Sequence, residues 1–105
     1  EQEKRIMKVL SHCESTRWNP LFIDIVPLGS SKRVGIDKML EHYHIGLDEC
    51  MAFGDGGNDI QMLSHVGIGV AMGNAAEDVM SAAGYVTTSV DENGVYNALK
   101  HFNII

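Results

Sequence analysis

Asp55, Asn58 and Asp59 fall in one short run, Phe53-Gly54-Asp55-Gly56-Gly57-Asn58-Asp59. Two carboxylates and an amide this close together offer hard oxygen donors. A magnesium ion prefers such donors and keeps several of its waters to share with a phosphate. Gly56 and Gly57 let the run turn sharply and keep bulk away from a ligand. The apolar Cys50-Met51-Ala52-Phe53 precedes it and Ile60-Gln61-Met62-Leu63 follows, so the polar residues sit where a buried strand hands over to a helix. In an open α/β sheet, ligands bind outside the carboxyl ends of the strands. The same residues also make an ordinary tight turn that caps a helix through Asn58 or Asp59. Their chemistry alone leaves both readings open.

The elements that must hold this run can be read from pattern. Ile6, Val9, Leu10 and Cys13 share one face of a helix expected over 3–13, and Ser15 to Pro20 breaks it. Leu21 to Val26 reads as a strand stopped by Pro27 and Gly29, with Trp18 expected to pack under it. A second helix is expected from Ser31 to His44, capped by Ser30 or Ser31 and ended by Gly46. Its stripe of Ile36, Met39, Leu40 and Tyr43 faces a core. Then follow a strand to Phe53, a short helix from Asn58 to His65 and a strand from Gly67 to Met72. A helix over 76–82, a strand over 85–88 and a last helix over 91–102 close the series. Strands alternating with helices predict a parallel sheet.

Composition sets outer limits. The 105 residues fit one small domain, with 45% hydrophobic and 21% charged residues. A formal net charge of −6 and the lack of a basic block argue against nucleic acid as a partner. No apolar run reaches the ~20 residues that span a bilayer, and Glu1-Gln2-Glu3-Lys4-Arg5 is unlike a signal peptide. No membrane partner and a cytoplasmic location are therefore expected, with Cys13 and Cys50 as reduced thiols. The five histidines show no metal-ligand spacing and are expected at the surface or at helix ends. The six methionines read as core.

From Lys32 onward the chain resembles the last part of a haloacid dehalogenase-like (HAD) hydrolase of the Cof-type sugar-phosphate phosphatase branch. The resemblance rests on Gly29-Ser30-Ser31-Lys32, on Ala52 through Ile60, and on Gly67-Ile68-Gly69-Val70-Ala71-Met72-Gly73-Asn74-Ala75. Ala83-Gly84-Tyr85-Val86-Thr87 and Asp91-Glu92-Asn93-Gly94-Val95 extend it. It implies an α/β fold: a partial Rossmann-like parallel sheet with flanking helices, the C-terminal part of the core domain, plus a short remnant of an α/β cap. Residues 1–27 would be the cap remnant and 28–105 the core.

The resemblance also assigns roles. Lys32, twenty-three residues before Asp55, would neutralise the nucleophile and the phosphate. A lysine in a first helical turn also opposes the helix dipole, which leans toward the same reading. Asp55 would hold Mg2+, the implied cofactor. Asp59 would hold a metal-bound water or orient Lys32, and Asn58 would hydrogen-bond the phosphate of a small phosphorylated substrate or the metal's waters. Asn74 is read as rim, and Gly67, Gly69 and Gly73 as tight packing. Arg33 departs from the glycine common in the family.

The family's nucleophile and its general acid and base come from an Asp-x-Asp motif, and this sequence contains none. Asp24 in Phe22-Ile23-Asp24-Ile25 is the nearest candidate and stands alone. The chain is therefore expected to be the C-terminal part of the enzyme and inactive alone, a truncation more readily than a natural fragment. The strand ending at Phe53 would then have an open edge, to be paired by the missing N-terminal half or by a second chain. A phosphomutase of the same superfamily, a non-catalytic cation- or phosphate-binding module and a plain structural domain are the alternatives.

Overall fold

The computed structural model describes residues 1–105 as two separate sheets with their helices. Helix α1 spans Gln2–Val9, and an antiparallel hairpin of β1 (Cys13–Asn19) and β2 (Phe22–Pro27) follows it. The helix stops at Val9, and the stretch read as a break is a strand. Glu14, Ser15 and Thr16 pair with Val26, Ile25 and Asp24, so β2 supplies a ladder that outweighs the polar residues' weak strand preference. Trp18 does not pack under β2. It is exposed and stacks on Phe22, with ring centroids 5.9 Å apart.

Helix α2 (Lys32–Tyr43) starts where expected, with the Ser31 hydroxyl accepting from the Val34 N–H at 3.3 Å. It ends on His44 in the left-handed conformation (φ 56°) rather than at Gly46. Its stripe is only partly used: Ile36 and Leu40 are half-buried, whereas Met39 and Tyr43 are exposed.

The second sheet is parallel in the order β3 (Met51–Gly54), β4 (Ile68–Ala71) and β5 (Tyr85–Val86). Helices α3 (Ile60–His65) and α4 (Glu77–Ala82) pack on β4, and α5 (Gly94–His101) closes the chain behind a turn at Val90–Glu92. Val70 and Ala71 point to opposite faces of β4 and both are fully buried, so this strand is covered on both sides. Leu63, Ala71 and Val79 form the centre of the core, with Ile60, Met62, Ala75, Met80 and Ala83 around it. Of the six methionines Met72 is buried and Met62 and Met80 pack around the core, as expected, whereas Met39 is exposed.

Strand β3 lies at the edge and pairs only with β4. Met51, Ala52 and Phe53 are consequently half-buried rather than buried. Twelve of 105 residues are buried and the radius of gyration is 15.5 Å. A compact domain of this length would have about 13 Å. The core is small and one side of the sheet is open. Cys13 and Cys50 are both free, and no helix is long and apolar enough to cross a membrane.

Candidate functional site

Everything at the site depends on how the chain leaves β3. Gly54 is buried, and a Cβ there would come within 2.6 Å of the Asp59 Cβ. The missing side chain lets Asp59 fold back over the strand end. The turn Gly57–Asp59 is closed from both sides. The Asp59 N–H donates to the Gly56 carbonyl at 2.9 Å, and the Asp59 carboxylate accepts from the Asp55 and Gly56 N–H groups, each at 3.1 Å. Both N–H donors use Oδ2. Oδ1 takes the ammonium of Lys32, the first residue of α2.

Asp59 thus accepts three hydrogen bonds. It is nearly buried, with 5% of the residue exposed. Burial pushes its carboxyl up, but the Lys32 ammonium and the N–H groups of Gly56 and Asp55 outweigh it and hold the group below the usual carboxylate range. Lys32 is half exposed, so its charge is anchored at one side and open at the other. Asp59 helps to fix a cation at the mouth of the sheet, with both carboxylate oxygens already engaged.

Asp55 stands beside this pair but differs from it. It is exposed, although it follows directly on the buried Gly54. Its Oδ2 accepts from the Asn74 side-chain amide at 3.3 Å. The donor chemistry fits a magnesium ion in its usual protein setting, where one or two carboxylates join waters and a phosphate. Within the loop Asp55 offers such an oxygen, and no group of three His, Cys, Asp or Glu side chains converges in the chain. These residues suit part of a magnesium shell and leave the rest to come from elsewhere.

Asn58 is exposed and caps no helix. It lines a cleft of about 430 Å3 between the hairpin and the loop, together with Lys32, Asp24, Arg17 and Gln61. Only Val26 and Met62 among the lining residues are apolar, so the cleft suits a polar, hydrogen-bonding guest. Asp55 is not on its wall. Arg33 faces solvent. The hairpin meets the loop closely: a Cβ on Gly57 would lie 3.2 Å from the Arg17 carbonyl oxygen. Sequence reasoning missed the cleft wall at Glu14, Thr16 and Arg17 because it took that stretch for a break. No alternation of apolar and polar residues marks that strand in the sequence.

The model of the haloacid dehalogenase-like hydrolase family matches residues 1–99. A protein of the pdhA 5′ region of Geobacillus stearothermophilus is 48% identical over 89 residues, which cover 85% of this chain and 94% of that protein. The 5-amino-6-(5-phospho-D-ribitylamino)uracil phosphatase YcsE of Bacillus subtilis (strain 168) is 38% identical over 89 residues, 85% of this chain and 36% of that one. The solved structure of the HAD subclass IIB sugar phosphatase BT4131 superposes with a TM-score of 0.93 at 52% identity, covering 99% of this chain and 40% of that chain. The chain therefore spans well under half the length of these two phosphatases.

Proposed function

This chain belongs to the haloacid dehalogenase-like hydrolase family, and on that premise we propose that it is the C-terminal part of a magnesium-dependent phosphatase of the Cof-type branch, hydrolysing small phosphomonoesters of the sugar-phosphate kind. The observation that carries this reading is the Lys32–Asp59 pair at the end of β3, next to the open carboxylate of Asp55. Phosphoryl transfer is mostly positioning and electrostatic stabilisation, so a held cation beside a metal carboxylate is the equipment it needs.

In this proposal Lys32 directs its ammonium at the phosphoryl oxygens and Asp59 keeps it there. Asn58 donates its amide to the phosphate from the cleft side. Asp55 is the residue that would hold magnesium, which when bound would supply positive charge to offset that of the phosphate. The nucleophile and the general acid and base would come from an Asp-x-Asp motif that the sequence lacks, so the aspartyl-phosphate would form on a part of the enzyme outside this chain. The edge of β3 is where that part, or a second chain, would pair. The two separate sheets support a division into cap remnant (1–27) and core (28–105), and the free thiols suit a reducing, cytoplasmic setting.

Hydrolysis of an aryl phosphate with magnesium by the 105-residue chain tests the division of labour. No turnover is expected. Turnover abolished by Asp55→Asn would reveal a nucleophile within the chain and overturn the half-site reading.

A further inference from the structure

Asn74 does more than shape a rim. It follows Met72 and Gly73 after β4, and its side chain joins two otherwise separate segments. The amide Nδ2 donates to Asp55 Oδ2 at 3.3 Å, while Oδ1 accepts from the Val90 N–H at 3.0 Å. The two ends of an amide are not interchangeable. The Val90 N–H can only meet an oxygen, so the opposite end facing Asp55 must be the NH2 group. The segment carrying Val90 is itself fixed. The Gly73 N–H donates to the Thr88 carbonyl at 3.0 Å, and the buried Thr87 hydroxyl donates to the Gly94 carbonyl at 2.7 Å.

We propose that Asn74 is a positioning residue for the metal site: oriented by the Val90 N–H, it holds one oxygen of Asp55 and leaves Oδ1 to meet the cation. The inference rests on Asp55 being the magnesium carboxylate of the proposed function. A carboxylate with one oxygen held approaches an ion with its rotation already restricted. Groups that hold a ligand in this way typically affect metal affinity by about 10–100-fold. The link is exposed, so the lower end of that range applies.

The test is a magnesium titration of the 105-residue chain, followed through the backbone amide resonances of Asp55 and Gly56 and the side-chain NH2 of Asn74. Asn74→Ala removes the holder. Val90→Pro removes only the orienting N–H, at the first position of a turn that proline tolerates, after Ser89 whose φ −67° and ψ 167° suit the residue before proline. Amides remote from the loop report whether either variant keeps the fold. About tenfold weaker magnesium binding in Asn74→Ala, and weaker binding in the same direction in Val90→Pro, is expected. Wild-type affinity in either variant overturns the inference while leaving Asp55 its role. Because these residues make only part of a magnesium shell, the titration is carried to high magnesium, and wild-type loop amides that do not respond there overturn both.

Discussion

Lys32 and Asp59, twenty-seven residues apart, meet as an ion pair in which the carboxylate is nearly buried and the ammonium half exposed. The pair is asymmetric by construction. Asp59 is gripped by two backbone N–H groups as well, so it is the fixed partner and Lys32 the one whose charge faces outward. Removing Lys32 should therefore be read most clearly in Asp59. In Lys32→Ala the Asp59 carboxyl loses its cation while its burial persists, and its pKa should rise. A carboxyl carbon titration by NMR checks this. An unchanged midpoint would mean that the backbone donors alone hold the group down.

The same pair makes stability depend on pH. Because the folded-state pKa of Asp59 lies below the ordinary value of 3.8, the unfolded chain binds more protons as pH falls past that value. The stabilisation is present above pH 3.8 and is lost as pH drops through the lower folded-state pKa. Glu3, lowered by the Ser15 hydroxyl and by Arg17, acts in the same direction, so a variant is needed to separate the two. Asp59→Asn sets an NH2 against the Lys32 ammonium and should cost about 1–3 kcal/mol at neutral pH. Urea midpoints across pH should show that cost shrinking in acid.

Glycine to alanine should change sign between two positions. A Cβ on Gly69 in β4 would lie 2.0 Å from the Leu63 carbonyl oxygen. That backbone cannot yield without moving α3, so Gly69→Ala should cost at least about 1–3 kcal/mol, the usual range for overpacking. Gly35 lies within α2 and a Cβ there meets nothing within 4 Å. Gly35→Ala should stabilise by about 0.5–1 kcal/mol. Thermal unfolding of the two variants should move in opposite directions.

Much of this was legible in the sequence, for reasons that can be named. The run from Ala52 to Ile60 and the alternation of apolar strands with capped helices announced the parallel sheet, because both signals are local. Lys32 was singled out by the family resemblance, with its place in a first helical turn leaning the same way, and its ammonium meets Asp59. One element was hidden. Strand β1 carries Glu14, Ser15, Thr16 and Arg17, and only its pairing with β2 makes it a strand. The half-burial of Met51, Ala52 and Phe53 depends on what lies beside β3 rather than on their apolar character, and it agrees with the open edge expected from the missing Asp-x-Asp motif. The link from Asn74 to Asp55 joins residues nineteen apart, which no pattern along the chain reveals.

The central claim is that Lys32 and Asp55 are half of a phosphatase site whose other half carries an Asp-x-Asp nucleophile. Its most direct test is magnesium-dependent aryl phosphate hydrolysis after this chain is combined with the N-terminal portion of a relative such as the sugar phosphatase BT4131. The account predicts turnover from the combination, absent from either part alone and abolished by Asp55→Asn or Lys32→Ala in this chain. Turnover that survives both substitutions would contradict it.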